Sequence, residues 1–476
     1  MEQCPGLERE GQPFDHHGGP RLRGLAQVPR SRSNEGRFGR MFRSLTPYLP
    51  SDAQLKALAA SMASTPAMDA DPARDNPDIP AGYTYLAQFV DHDITFDAAS
   101  ALDQANDPNA LTTFRTPRFD LDSLYGGGRT QAPFLYDEDD PVKLLVGRNT
   151  DLVRFDPVDL PRNQQGRALI GDPRNDVHVI VSQLHLAFIR FHNAVVDHLR
   201  VRFFPAGQLF DEARRLTCWH YQWIVVHDFL ARIVGQETVD EVLVKDPRTK
   251  GMKADLRFYS WRKTPFMPVE FSGAAYRFGH SMVRFDYKLN DEVEELIPVF
   301  SPALTPNPLQ HLGLFRPLPK KWTLDWSKFF SLGGSQPQLS RRIETTISSP
   351  LHQLPVTVNA QRRSLGLLNL LRGRALELPS GQAVAAAMGT SRPDAELGLE
   401  GEAPLYFYLL REAEIVAGGR HLGPTGGRIV AEVLLGMLRG DPSSYFRHAP
   451  TWKPELPSAA PGGFTMSDLL TFASVA

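Results

Sequence analysis

The stretch Gln88-Phe89-Val90-Asp91-His92-Asp93-Ile94-Thr95 constrains this chain more than any other. Two carboxylates, an imidazole and an amide crowd into six residues. Upstream, Tyr83, Tyr85, Leu86, Phe89 and Val90 form a pattern suited to a buried helix. Burying a charge costs several kcal/mol unless it is paired, so either these groups reach solvent or something bound there satisfies them. His92 alone reads as a core histidine at a polar helix end. The whole cluster asks for more.

A Pro/Asp-rich loop, 66–80, leads into this segment. Before it, Ser51 and Gln54 have capping-box spacing, and Leu55, Leu58 and Met62 follow at helical spacing. Residues 1–38 are rich in Gly, Pro, Arg and Ser without periodicity and read as a mobile or surface-draped arm. That arm carries acids and no apolar core, so it is not a secretory signal, and no stretch approaches the ~18 uninterrupted apolar residues of a membrane span. The expectation is a cytoplasmic protein, with non-classical secretion open. A formal net charge of −2 with interspersed signs gives no nucleic-acid footprint. Cys4 and Cys218 are too few for a disulfide framework or a zinc site.

Beyond a polar loop comes Thr116-Pro117-Arg118-Phe119-Asp120-Leu121-Asp122. Asp120 and Asp122 alternate around Leu121, so in extended backbone their carboxylates point the same way. With a Thr hydroxyl and backbone carbonyls they form an oxygen set that Ca²⁺ accepts. Taken alone, this reads as a solvated turn. Residues 135–170 read as irregular or short β structure, including Lys143–Val146 and Asp151–Val153. Gly171-Asp172-Pro173-Arg174-Asn175-Asp176 then opens the longest helical pattern, with Val177, Ile180, Val181, Leu184, Phe188 and Val195 on its apolar face. Arg174 lies beside that helix start, where the dipole disfavours a cation and an anionic partner is expected.

A second core helix is expected over Asp211–Ile233, with His220 and His227 in structural roles, and then a polar, partly helical excursion at 236–256. Ala274–Val283 reads as another buried helix, in which Gly279 lets something approach closely and His280 sits on an apolar face. A satisfied core histidine and a ligand to a bulky cofactor's metal both fit His280. Asn369, set among leucines and followed by Arg372 and Arg374, wants a hydrogen-bond partner. Helices at Leu405–Ile415, Arg428–Leu438 and Met466–Phe472 close the chain.

With these blocks in order, the sequence resembles the animal-type haem peroxidases of the peroxidase–cyclooxygenase superfamily, in a compact bacterial-type form, from about Phe38 onward. The resemblance implies a mainly α-helical fold with little β structure, a single haem peroxidase domain over 39–476. It makes His92 the distal acid–base histidine, Gln88 its pocket neighbour and Arg174 the distal arginine. Asp91 stands where the family esterifies a haem methyl. His280 becomes the haem iron ligand, Asn369 its hydrogen-bond partner, and Arg277 and Arg372 neighbours of the propionates. His192 is then scaffold. Asp93, Thr116, the carbonyl of Arg118, Asp120 and Asp122 become a calcium site, which replaces the solvated-turn reading.

The implied activity is reduction of hydrogen peroxide and oxidation of a small organic or (pseudo)halide donor through an oxoferryl intermediate on haem b, within the response to oxidative stress. Two departures bear on it. Val177 cannot form the second haem ester of the mammalian members and His178 cannot form a sulfonium link, so at most one link, through Asp91, is expected, which speaks against chloride oxidation. Dioxygenase branches place a radical-forming Tyr three residues before the proximal His. Here Arg277 holds that position, and Tyr276 on a helix would face elsewhere. A fatty-acid or metabolite dioxygenase, and a non-catalytic haem- and calcium-binding scaffold, are the alternatives.

Overall fold

The structure, a computed structural model, describes residues 38–95, 117–147, 159–301, 303, 307–313, 315–319, 321–355 and 363–475. The arm at 1–37, Thr116 and Asp151–Val153 lie outside the described residues. The architecture is helical. Ser51 caps α1 (Asp52–Ser61) with the expected capping box to Gln54. A short strand, β1 (Asp75–Pro80), pairs antiparallel with β2 (Leu339–Arg341) far along the chain. Directly after β1 comes α2 (Gly82–Ile94), the helix of the Gln88–Asp93 cluster.

Next come two long core helices. α3 (Val179–Val201) starts slightly later than its periodicity predicts, because Pro173–Asp176 winds into a separate 3-10 turn ahead of it. This 23-residue helix is long and apolar enough to cross a membrane, yet 83% of its most apolar window is buried inside the protein. α4 (Leu209–Ile224) runs into a π-helical turn at Val225–Phe229 and then Leu230–Val234, close to the expected helix but with a changed register. That register places Asp228 where it accepts from the Tyr83 hydroxyl and the Met466 N–H.

α2, α3 and α4 meet through aromatic rings. Phe89 of α2 stacks on Phe188 of α3, with centroids 4.5 Å apart and planes 5° from parallel, and Tyr221 of α4 meets both edge-on. Downstream, 236–256 forms a short helix and a hairpin, Leu243–Lys245 with Met252–Ala254. The expected helix over Ala274–Val283 is a correction. The chain makes a short helix at Val269–Gly273 and then a 3-10 turn at Ala275–His280. Short β structure at 143–146 is also corrected, since that stretch makes only an isolated bridge, Tyr136 to Leu144. α5 (Leu365–Ala375), α6 (Leu405–Val416), α7 (Pro424–Gly440) and α8 (Met466–Phe472) follow, with α5 packed on α1 and α8 on α3.

His220 and His227 serve the packing, His220 through the Leu216 carbonyl and His227 through the Tyr445 hydroxyl. Because the α2–α3–α4 contact is ring on ring, Phe188→Ala leaves a cavity that its neighbours cannot fill. The expected loss is about 3–5 kcal/mol of stability, read as a lower midpoint in urea unfolding.

Candidate active site

Gln88 and His92 lie one turn apart on α2 and, with Asp91, line a cavity of about 230 Å³. Its other walls are Val177 and His178, the segment Tyr276–His280, and Val299 and Phe300.

The turn before α3 fixes the α2 wall. Asn175 Oδ1 lies 2.7 Å from His92 Nδ1, and its Nδ2 lies 2.9 Å from His185 Nδ1. The His92 Nδ1–H therefore donates to Asn175, which leaves Nε2 as an acceptor, and it has no hydrogen-bond partner among the described residues. Burial first, then the charge of Arg174, pushes His92 down to about 4, so the ring is neutral. Arg174 has the expected anionic partner. Its Nε and Nη2 donate to the Asp172 carboxylate, and Nη2 also donates to the carbonyls of His92 and Thr95 at the C-terminal end of α2. A cation there complements the helix dipole. Arg174 thus braces His92 from behind and is not part of the cavity lining.

His280 stands on the third wall. Asn369 of α5 puts its amide 2.8 Å from His280 Nδ1. Nitrogen and oxygen of an amide are near-isosteric; with Oδ1 turned to the ring, His280 donates from Nδ1 and Nε2 keeps its lone pair. Burial, then the Arg277 charge, pushes His280 down to about 3. Arg372, one turn beyond Asn369, acts on His280 in the same direction. Arg277 donates to the Ser272 carbonyl and reaches across to Asp91, Nη1 to Oδ2 3.9 Å. Burial pushes the Asp91 carboxyl up, but Arg277, His92, Arg174 and the Thr95 hydroxyl outweigh it, and the group sits below the usual carboxylate value. A Cβ added to Gly279 would meet nothing within 4 Å, so this wall is cut back beside His280.

Tyr276 overturns the expectation that it faces elsewhere. In the 3-10 turn it lines the same cavity as His280, stacked on Phe271, and its buried hydroxyl has no partner among the described residues.

Asp93, one residue after His92, points away from the cavity. Single carboxylate oxygens of Asp93, Asp120 and Asp122 lie within 4.8 Å of one another, with Asp93 fully buried. Leu121 between the two loop acids takes a left-handed backbone, φ 55°, and Asp93 accepts from Ser123 Oγ. Burial pushes Asp120 up. Converging oxygens of this kind suit a hard cation. Arg118 pairs with Asp441 at 4.0 Å. A Cβ on Gly171 would sit 2.5 Å from the Ser123 carbonyl, so glycine is what lets the acidic loop press against the Asp172–Asn175 turn.

Residues 100–403 match the animal haem peroxidase family. The chain belongs to that family. The matched stretch carries Arg174, Arg277, His280 and Asn369 and begins after the Gln88–Asp93 cluster. Heme peroxidase 2 of Caenorhabditis elegans is 32% identical over 119 residues, 25% of this chain and 16% of that protein. Chorion peroxidase of Drosophila melanogaster is 30% identical over 146 residues, 29% of this chain and 18% of that protein. The matches therefore span under a fifth of those relatives' own length. Peroxidase A from Dictyostelium discoideum shares the fold at TM-score 0.57 and 14% identity, over 94% of each chain. A fatty acid alpha-dioxygenase from Arabidopsis thaliana shares it at TM-score 0.58 and 15% identity, over 90% of this chain and 75% of that one. Membership of that family implies haem. The residues fit the group: a mainly apolar cavity, two neutral imidazoles with Nε2 uncommitted, and a wall cut back at Gly279.

Family-based reading located the two imidazoles and Asn369. It missed Asn175 and His178 as partners of His92 and Gln88; an amide two residues into a turn gives no signal until the facing ring is known. His192 is scaffold in the geometry, held by the Tyr125 hydroxyl and the Val142 carbonyl. The neutral His92 also has a stability consequence. Above pH 6.5 neither folded nor unfolded chain protonates it; below, only the unfolded chain does, until about pH 4. Stability of the cofactor-free protein is expected to fall across that window, and urea titrations at several pH values should show His92→Gln with a slope shallower by about 1.4 kcal/mol per pH unit.

Proposed function

We propose that this protein is a haem peroxidase that reduces hydrogen peroxide and oxidises small donors, with residues 39–476 acting as one domain. One observation carries the reading. His92 and His280 enter one cavity from separate walls, each with Nδ1 held by an asparagine. Haem b would be held by His280 Nε2, with Arg277 and Arg372 near its acidic edge and Asp91 as the one residue able to esterify it. When bound it would supply the redox-active iron that accepts electrons from the donor and passes them to peroxide.

The chain's own groups then handle protons and charge. His92 Nε2 takes the proton from one peroxide oxygen and returns it to the departing one, and the Asn175 carbonyl holds the transient imidazolium through Nδ1–H. Arg174 holds the carbonyls of His92 and Thr95, which fixes the ring's origin, and burial, with the Arg174 charge second, keeps the imidazole neutral between cycles. Asp172 keeps that guanidinium in place. Val177, Val299 and Phe300 make an apolar approach that favours phenols and aromatic amines, with iodide, bromide and thiocyanate as smaller donors. Asp93, Asp120 and Asp122, with Thr116 and the Arg118 carbonyl, would hold Ca²⁺ directly behind His92.

Haem-supplemented protein should show a ferric Soret band that shifts on mixing with hydrogen peroxide and recovers on adding a phenol. His92→Ala is expected to keep the band and slow the shift by about 10²- to 10⁴-fold. Protein that takes up no haem, or takes it up and ignores peroxide, sinks the reading. Chelation with EGTA should lower the melting temperature of the wild type and leave Asp120→Ala, already lower, unmoved; equal responses would argue against a cation there.

The cavity-facing phenol of Tyr276 favours a second reading, a haem dioxygenase acting on an apolar chain. Oxygen uptake with a long-chain fatty acid, lost in Tyr276→Phe, would move this reading ahead of the first.

A further inference from the structure

We propose that His178 is a positioning residue that sets the polarity of Gln88, holding its amide nitrogen as a hydrogen-bond donor into the cavity beside His92. This rests on the haem peroxidase reading and adds to it a residue that fixes what the cavity offers to a small ligand.

The argument starts at the N-terminus of α3. His178 caps it, its Nδ1 accepting from the Val181 N–H at 3.3 Å. A ring nitrogen that accepts carries no proton, and a neutral imidazole has one, so Nε2 must bear it. Nε2 lies 2.9 Å from Gln88 Oε1. The two ends of an amide are hard to tell apart by shape alone, but the partner of an N–H has to be the oxygen. The Gln88 Oε1 is therefore turned to His178, and its NH₂ group is the end left over.

The ring cannot easily turn away from this task. Tyr85 meets it edge-on with centroids 4.9 Å apart, and its own backbone pairs with Gly313. Gln88 and His178 both line the cavity, together with apolar Val177, Val299 and Phe300 and with polar Thr84, Asp91, Tyr276 and Arg277.

The consequence is a complementary pair. His92 offers an acceptor at Nε2 and Gln88, one turn earlier on the same face, offers a donor. Peroxide carries both functions, an O–H to give and a lone pair to receive. If the amide were reversed, two acceptors would face the same ligand and one of its oxygens would go unserved. The capping bond of α3 thus dictates, through one ring, the polarity of a group on α2.

Fluoride, which can only accept, is the probe. In haem-loaded protein its affinity should fall about tenfold in Gln88→Leu. His178→Asn keeps a capping side chain at the helix start but cannot reach Gln88, and should cost about fivefold or more. The double variant should be no weaker than Gln88→Leu alone. Independent, multiplying losses, or no loss in His178→Asn, overturn the proposal while leaving the peroxidase reading standing. Wild-type protein that binds no haem overturns both. A second measurement needs no cofactor: ¹⁵N-histidine NMR of the cofactor-free protein should show His178, assigned by its disappearance in His178→Asn or its shift in Gln88→Leu, as the neutral Nε2–H tautomer. The Nδ1–H tautomer overturns the proposal.

Discussion

The lock between the C-terminal end of α2 and the turn at Pro173–Asp176 is the constraint on which the rest of the site depends. One guanidinium and one amide make it. Arg174 ties together an aspartate and two helix-end carbonyls, and Asn175 threads between His92 and His185. Unpaired carbonyls at a helix end need donors, and here the donors also fix the orientation of the cavity-facing His92 imidazole. Moving this turn would free His92 to rotate and would release the acidic loop that Gly171 allows to press against it.

The same economy appears on the opposite wall. His280 is oriented by Asn369, and Arg277 spans from the Ser272 carbonyl to Asp91. His92 and His280 are therefore each defined by an asparagine that does not itself line the cavity. Supporting hydrogen bonds of this kind govern which nitrogen is available. The Asp93 group works on the other side of α2, so one helical turn divides its labour between the cavity and the acidic cluster.

Much of this was legible in the sequence. Long periodic apolar faces gave α2, α3 and α4, and the order of separated motifs gave the family and the residues facing the cavity. What could not be read was local. Ala274–Val283 has the composition of a buried helix, yet it tightens into a 3-10 turn once Gly273, Phe271 and Tyr276 pack, and that brings Tyr276 onto the cavity wall. Arg174 could be matched by position but not aimed, because its direction depends on Asp172 and on carbonyls some 80 residues earlier. His178 gave only a negative message, the loss of a sulfur, until Gln88 and Val181 stood beside it.

The hydrogen bond between His280 and Asn369 joins residues 89 positions apart, and it sets an order of events during synthesis. A nascent chain that has emerged only through the Ala275–His280 turn already carries His92 and His280, with nothing to hold the second in register. Only when α5 has left the ribosome can that ring be clamped. The His280 ring therefore takes its fixed orientation late, after most of the polypeptide has been made.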